Sequence, residues 1–302
     1  MKRVDVLLAT YNGARHLREQ IDSVLAQQGV SIRLRIRDDG SSDATPALLQ
    51  EYASRYPDQV EVLPAAARGE GAARNFLALL ALPSDADYFA LCDQDDVWPA
   101  DRLAVAVNAL EAVAVPVRLY CSAVEYVDES LQSLGISSRP VAPSFANALV
   151  ENIAQGCTMV GDAALRDLVG KRPPEKVAMH DWWLYLLAAA FGRALYDPVP
   201  RVRYRQHGAN AVGGGFSLWR KLHKNWVRYT SGRAWPMAAQ AQELLRLYPE
   251  RLDAFQRDML ARFVAGKRGL PARLRLAADW RIRRQSLPET LVVKLLIIIN
   301  AY

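Results

Sequence analysis

The first ninety or so residues alternate apolar strands with amphipathic helices, and each of three strands runs into a loop of unusual chemistry. Val4-Asp5-Val6-Leu7-Leu8-Ala9 reads as a short buried strand, and Tyr11-Asn12-Gly13 breaks it before a helical pattern on Leu17, Ile21, Val24 and Leu25. A second strand, Ile32 to Ile36, meets Asp38-Asp39-Gly40-Ser41-Ser42-Asp43, after which Thr45-Pro46 supplies an N-cap and a first-turn proline for a helix through Tyr56. Val60 to Leu63 reads as a third strand, Gly71 to Leu82 as a third helix, and Tyr88 to Cys92 as a fourth strand ending in Asp93-Gln94-Asp95-Asp96. Such alternation implies an α/β, mainly parallel, Rossmann-like sheet with flanking helices. Ligands of open α/β sheets sit beyond the carboxyl ends of the strands, so the loops at 10–13, 38–43 and 93–96 are expected to converge on one crevice.

Further along, a helix is expected from about Pro99 to Val115 and a strand from Arg118 to Ser122. Gln155 to Val160 and the region around Val202 to Tyr204 read as later sheet members, with a helix from Trp182 to Phe191 between them. Beyond Gly213-Gly214-Gly215 basic and aromatic helical patterns replace the alternation, giving an expected division into a domain over 1–215 and a helical extension over 216–302. With 51% hydrophobic and 23% charged residues, disorder and fibrous architectures are excluded. The net charge of +6 conceals an asymmetry: residues 1–200 hold 18 basic and 26 acidic side chains, residues 201–302 hold 20 and 6.

Cys92, Cys121 and Cys157 fit no Cys-x-x-Cys spacing, which argues against a zinc site or a disulfide framework and for a reducing cytoplasm. The apolar stretch Val4 to Ala9 is too short for a signal peptide, and Leu291 to Ile299 falls far below the roughly 20 residues that span a bilayer.

Three carboxylates in Asp93-Gln94-Asp95-Asp96 repel one another unless solvent, a helix cap or a cation offsets them, and hard oxygen donors suit Mg²⁺ or Mn²⁺ together with phosphate. The plainer alternative is that this loop caps the helix near Pro99. Asp38 and Asp39 either form a simple turn or accept hydrogen bonds from a base N–H or a ribose hydroxyl. Neither a Gly-x-Gly-x-x-Gly nor a Gly-x-x-x-x-Gly-Lys-Ser/Thr motif is present, which sets aside dinucleotide enzymes and P-loop NTPases.

Leu8-Ala9-Thr10-Tyr11-Asn12, Asp38-Asp39-Gly40-Ser41-Ser42-Asp43 and Asp93-Gln94-Asp95 together resemble family 2 of the inverting nucleotide-sugar glycosyltransferases, which have the GT-A fold. Cys92 to Trp98, His180-Asp181-Trp182-Trp183 and Tyr204 to Asn210 resemble the bacterial rhamnosyltransferase branch, and the likeness covers about residues 3–215. It implies that Tyr11 packs on the nucleotide base, Asp39 bonds the base edge, Asp93 contacts the ribose and Asp95 binds the metal. Thr10, Asn12, Asp38 and Gln94 belong to the same donor-binding set. Ala9 departs from the Thr or Ser of many relatives and removes one base contact.

Asp181 matches the family's catalytic base, and an inverting transfer needs one carboxylate to accept the proton of the attacking hydroxyl. Its alternative is a helix N-cap. Trp182 and Trp183 are expected to divide, one buried and one lining the acceptor site, where Gly156 and Cys157 also fall. His207 resembles a ligand of the metal or diphosphate, flanked by Arg205, Gln206 and Asn210; Arg74 is either a donor contact or part of a solvated helix face.

In the extension, Trp219, Arg220, Lys221, Lys224, Trp226, Arg228 and Tyr229, then Arg273, Arg275, Trp280, Arg281, Arg283 and Arg284, interleave cations with aromatics. That pattern suits an interfacial helix on anionic lipid, or equally helices packed on the acidic first domain or a second subunit; no nucleic-acid-binding signature accompanies it. The expectation is a cytoplasmic enzyme, peripheral on the inner membrane or a homo-oligomer, that moves L-rhamnose from dTDP-L-rhamnose onto a surface polysaccharide or lipopolysaccharide precursor with Mg²⁺ or Mn²⁺. A UDP-hexose transferase and a catalytically silent glycan-binding scaffold of the same fold are the alternatives.

Overall fold

β1 (Arg3–Thr10) alternates its side chains so that Val4, Val6 and Leu8 enter one face of the sheet, where they pack with Leu17, Ile21 and Val24 of α1 (Leu17–Leu25). This computed structural model describes residues 1–66, 69–137, 142–206 and 237–302. β2 (Ser31–Asp38) pairs parallel to β1, and Leu34 and Ile36 join the same core. α2 (Thr45–Arg55), β3 (Val60–Val62), α3 (Ala72–Leu80), β4 (Tyr88–Cys92) and α4 (Arg102–Glu111) continue the alternation. All five residues of β4 are buried, as a strand covered on both faces requires.

β5 (Arg118–Val127), β6 (Ser133–Ile136), a short α5 (Phe145–Ala148), a single 3₁₀ turn at Gly156–Thr158, β7 (Val160–Asp162), α6 (Ala163–Lys171), α7 (His180–Phe191) and β8 (Arg193–Arg205) follow. The sheet runs β3-β2-β1-β4-β7-β5-β6, with β8 paired to β5. The first four strands are parallel, but β7 runs antiparallel to both β4 and β5, so the later half is mixed rather than a continuation of the parallel block. Chain order reverses between β1 and its two neighbours, β2 and β4. At such a switch point the carboxyl ends of adjacent strands open a crevice.

Three local expectations need correction. The segment from Gln155 is a 3₁₀ turn, and its strand begins only at Val160. Thr45 is not the N-cap of α2: its buried hydroxyl accepts the Gly13 N–H at 2.9 Å, while the Asp43 carboxylate accepts the Thr45 N–H at 2.9 Å. β8 is thirteen residues long, far beyond Val202 to Tyr204. Pro198 and Pro200 disguise it in sequence, since proline cannot donate to a ladder; the structure accommodates them where the β5–β8 register shifts at Ser122 and Ala123.

The chain divides into two compact units, the first comprising Met1–Pro143, Ile153–Pro173 and Met179–Arg205, the second Ser144–Asn152, Pro174–Ala178 and Gln206–Tyr302. Within the second, α8 (Met237–Leu247), α9 (Ala254–Gly266), α10 (Leu270–Ala278) and α11 (Leu287–Ile298) form a helical C-terminal region. A capping box of Asp253 and Gln256 starts α9, and the Tyr302 hydroxyl donates to the Phe263 carbonyl at 2.8 Å. Buried Glu151 ties the early segment to the late helices: it accepts from Asn147 Nδ2 and the Gln285 N–H, both at 2.9 Å. Among the described residues no helix is long and apolar enough to cross a membrane.

The one charge in β1's apolar run, Asp5, is also almost wholly buried, and it is matched by cations from elsewhere in the first unit. Its carboxylate accepts from Arg33 Nε and Nη2 at 2.9 and 3.0 Å and from Ser84 Oγ at 2.5 Å, with Arg35 and Arg166 each at 3.7 Å. Removing one partner of such a network strands the buried cations left behind. Asp5→Ala should therefore lose about 3–5 kcal/mol in urea unfolding, while replacing the more exposed Arg33 should cost less.

Candidate active site

The loop after β1 turns on Asn12, whose φ of +48° is a left-handed conformation that asparagine tolerates better than most residues. Its side-chain oxygen accepts the Ser42 N–H at 2.8 Å and its own N–H donates to Ser41 Oγ at 2.8 Å, so the loops after β1 and β2 are sewn together. Thr10 Oγ donates to Asp38 Oδ1 at 2.7 Å, and the same carboxylate takes the Ser41 hydroxyl at 2.6 Å and the N–H groups of Ser41 and Gly40 at 2.7 and 3.2 Å. Asp38 and Thr10 are thus buried supports that shape the loop. Asp39 accepts the N–H groups of Glu70 and Gly71, both at 2.8 Å, immediately ahead of α3. Arg74 is exposed on the first turn of that helix, and buried Asn75 holds Arg37 through a 3.0 Å hydrogen bond.

Gln94 clamps the first loop to the acidic one. Its Oε1 accepts the Tyr11 N–H at 2.8 Å and its Nε2 donates to the Tyr11 carbonyl at 3.0 Å, which leaves the Tyr11 ring standing 55% exposed. A Cβ at position 13 would lie 2.2 Å from Gln94 Oε1, so Gly13 is what allows the clamp to close. The acidic loop is also held from behind, because Val97 and Arg203 of β8 exchange backbone hydrogen bonds at 3.1 and 3.0 Å. Arg205 is almost wholly buried. Its Nε donates to the Asp95 carbonyl at 3.0 Å, its Nη1 to the Glu129 carbonyl at 2.5 Å and its Nη2 to the Glu19 carboxylate.

Asp96 turns inward and is fully buried, accepting the Arg205 N–H at 3.3 Å; burial, with Asp95 and Asp93 nearby, raises its carboxyl well above the usual range. Asp93 is half-buried and pushed up to about 7, first by loss of water and then by the charges of Asp95 and Asp181. Asp181 therefore stands within electrostatic reach of the acidic loop from the first turn of α7. It is not the N-cap, which is Met179; its Oδ1 accepts the Trp182 N–H at 2.7 Å. Gly156 backs it closely, since a Cβ there would lie 3.1 Å from His180 Nε2 and 3.5 Å from Asp181 Cβ. His180 is buried, its ring stacked on Phe76 at 4.2 Å, and burial drives its pKa down to about 3, so it is a neutral neighbour of the carboxylates.

The structure thus brings Thr10, Tyr11, Asn12, Asp38, Asp39, Asp93, Gln94, Asp95 and Arg205 together at the carboxyl ends of β1, β2 and β4, with Gly156 beside Asp181. Two acceptor-side expectations are corrected: Trp183 and Cys157 have essentially no exposed surface, and even Trp182 is only 6% exposed, because α7 is buried along most of its length. The carbonyl of Cys157 instead accepts Arg102 Nη2 at 2.6 Å, and that buried guanidinium stacks 3.5 Å from the Trp98 ring centroid. His207, Asn210, Gly213 to Gly215 and the Trp219 to Tyr229 cluster lie outside the described residues. Glu19 and Arg102 carry no local signal in the sequence, while Asp96 entered only as one carboxylate of the acidic loop and His180 only as part of the motif that contains Asp181.

Carboxylate oxygens of Asp93 and Asp95 at a loop mouth are donors of the kind Mg²⁺ and Mn²⁺ take, and their mutual repulsion is what a cation would relieve. Asp93, Asp96 and Cys157 also bring ligand atoms within 4.8 Å of one another. That set fits such a cation less well, because burial, then Asp96 and Asp93, push the Cys157 thiol well above its ordinary value and keep it protonated.

The raised Asp93 has a thermodynamic sign. Its carboxyl ionises near 3.8 unfolded and near 7 folded, so folding retains a proton across that window and stability falls as pH rises through it. Asp93→Asn should raise the melting temperature at pH 8 by a few degrees, on the order of 2–4 °C per kcal/mol, and change it little at pH 4. Mn²⁺ at pH 8 should narrow the gap between variant and wild type, which differential scanning calorimetry would measure.

Residues 5–168 match the family described as Glycosyl transferase family 2. Among curated proteins the chain is similar to the dTDP-rhamnosyl transferase RfbG of Shigella flexneri, at 29% identity over 70% of this chain and 75% of that one. An uncharacterized glycosyltransferase of Nostoc is 26% identical over 69% of this chain and 66% of its own length. Among solved structures, S. aureus TarS superposes with a TM-score of 0.58 at 14% identity, covering 99% of this chain and 81% of that one. The mannosyltransferase PcManGT from Pyrobaculum calidifontis, in complex with GDP-Man and Mn²⁺, gives 0.50 at 17% identity over 97% and 86%. These likenesses share the α/β GT-A-like fold with a helical C-terminal region, and with the family match over more than half the chain they make this protein a member of glycosyl transferase family 2, which takes a nucleotide-sugar donor and a glycan acceptor.

Proposed function

We propose that the protein is a metal-dependent inverting rhamnosyltransferase that uses dTDP-L-rhamnose and acts at the cytoplasmic face of the inner membrane on a surface polysaccharide or lipopolysaccharide precursor. The observation that carries the reading is the convergence of Asp93, Asp95 and Asp181 at one crevice, where two functions are needed: charge relief for a departing diphosphate, and a base. The similarity to a dTDP-rhamnosyl transferase supports the choice of donor.

In this reading the exposed Tyr11 ring packs on the thymine base, and Asp39, whose present partners are N–H donors, offers its carboxylate to the base edge. Asp38 and Thr10 keep that loop in shape. Asp93 accepts from the ribose, Arg74 reaches the donor from the start of α3, and Arg205 acts by fixing the Asp95 backbone. Asp95 and His207 would hold a divalent cation together with the diphosphate, which would supply charge neutralisation for the leaving group. Asp181 accepts the proton of the acceptor hydroxyl as that oxygen bonds to the anomeric carbon. The bond from that carbon to the diphosphate oxygen breaks on the opposite face, which inverts the configuration. Gly156 lets the backbone of the 3₁₀ turn approach Asp181 closely, since a Cβ there would lie 3.1 Å from His180 Nε2 and 3.5 Å from Asp181 Cβ.

Titration calorimetry with dTDP, UDP and GDP, each with and without Mn²⁺, tests the donor. Metal-dependent preference for dTDP is expected; preference for UDP would move the assignment to a hexosyltransferase, and binding of none would indicate a silent scaffold. Asp181→Asn should keep dTDP affinity within about twofold while transfer falls by roughly 10²–10⁴. Asp95→Ala should weaken Mn²⁺-dependent dTDP binding by about tenfold or more without altering the metal-free signal.

A further inference from the structure

The helix α11 is apolar on two opposite faces. Thr290, Val293, Leu296 and Ile297 are buried inside the helical unit, whereas Leu287, Leu291, Leu295 and Ile299, each four residues apart, are 72%, 59%, 57% and 41% exposed. Four-residue spacing aligns them in one stripe roughly 18 Å long. An all-round apolar helix ordinarily lies in a protein core or a bilayer, and α11 is too short to span one.

Trp280, in the connection between α10 and α11, is 74% exposed, and Leu270 and Leu274 of the α10 segment are half exposed. Tryptophan with its ring in the open is the side chain that settles at a bilayer–water boundary. The same unit is cationic: residues 237–302 carry 12 Lys and Arg against 6 Asp and Glu. Arg268, Arg275 and Arg283 are exposed in the α10–α11 segment, whereas Asp279 is held by Arg281 and Glu289 is confined to the first turn of α11. A second copy of an equally basic face would be repelled, while anionic headgroups would be attracted.

We infer that the α11 stripe with Trp280 is a membrane-docking surface that lies in the interfacial plane of an anionic bilayer, the leucines in the acyl boundary and the arginines among phosphates. The inference does not depend on which nucleotide sugar or acceptor the first unit uses. A single weak amphipathic anchor of this kind gives reversible attachment.

Co-sedimentation of the full chain with vesicles of phosphatidylglycerol and phosphatidylethanolamine, and with vesicles of phosphatidylcholine alone, tests it. Binding is expected to the anionic vesicles, weaker by several-fold on the neutral ones and falling with added salt. Leu291→Glu combined with Leu295→Glu should reduce partitioning on the order of tenfold or more, and Trp280→Ser several-fold. Arg275→Gln with Arg283→Gln should flatten the salt dependence. Melting temperature and Mn²⁺-dependent dTDP titration, read on the same samples, report separately on folding and on the donor site. Wild-type protein that stays in the supernatant with anionic vesicles overturns the inference, as does a Trp280→Ser and Leu291→Glu pair that each bind like wild type. Light scattering that shows a dimer abolished by Leu291→Glu, with no vesicle binding, assigns the stripe to a second copy instead. A large drop in melting temperature for Leu291→Glu, with vesicle binding by Trp280→Ser unchanged, assigns it to a contact within the chain and equally overturns docking.

Discussion

Carboxylates crowded at the end of β4 repel one another, and much of the first unit is arranged to hold them where they are. The loop cannot relax outward because Gln94 pins it to Tyr11 and β8 pins Val97 through paired backbone hydrogen bonds. It cannot relax inward because Asp96 already fills the buried side, backed by Arg205 and the Arg102–Trp98 stack. Folding therefore leaves Asp93 facing Asp95 and Asp181 with its carboxyl raised to about 7, a local cost that the surrounding hydrogen bonds sustain. Carboxyls pushed this far from their ordinary range by burial and by specific charged neighbours cluster at functional sites.

The neighbouring loops follow a different principle. Asp38 and Asp43 accept hydroxyl and N–H donors both from their own loop and from the end of β1 and the loop after it, and Asn12 stitches one loop to the other. Two classes of acid therefore sit at the same sheet edge. Some shape the backbone through their hydrogen bonds, whereas Asp93 is set first by loss of water and then by the charges of Asp95 and Asp181. Side-chain type alone does not separate them; burial and the charges each carboxylate meets do.

The strand–helix alternation, the parallel order of the first strands and the convergence of three loops were legible because each rests on local periodicity and on a topological rule that needs no contact information. The three loop motifs that carry the family likeness were legible for the same reason, being contiguous runs at strand ends. Legibility failed where a role depends on distant partners. Nothing near Arg205 in the chain pairs it with Glu19, nothing marks Arg102 as a buried cation under Trp98, and the prolines at 198 and 200 argue locally against the long strand they occupy. Cys157 and one of the Trp182–Trp183 pair looked like sugar-facing residues from their neighbours, and only packing of α7 and of the 3₁₀ turn shows all three to be interior.

The amino-acid sequence by itself determined the fold class, the family and the set of acids from which chemistry could be drawn, since period, turn chemistry and motif spacing are all properties of short stretches of chain. Tertiary structure alone decided which acids feel one another's charge, which cation holds the acidic loop from behind, and which leucines of α11 face water rather than the interior. Those are statements about distance and exposure between residues far apart in the chain, and electrostatics and hydrophobic burial depend on proximity in space, not on order in sequence.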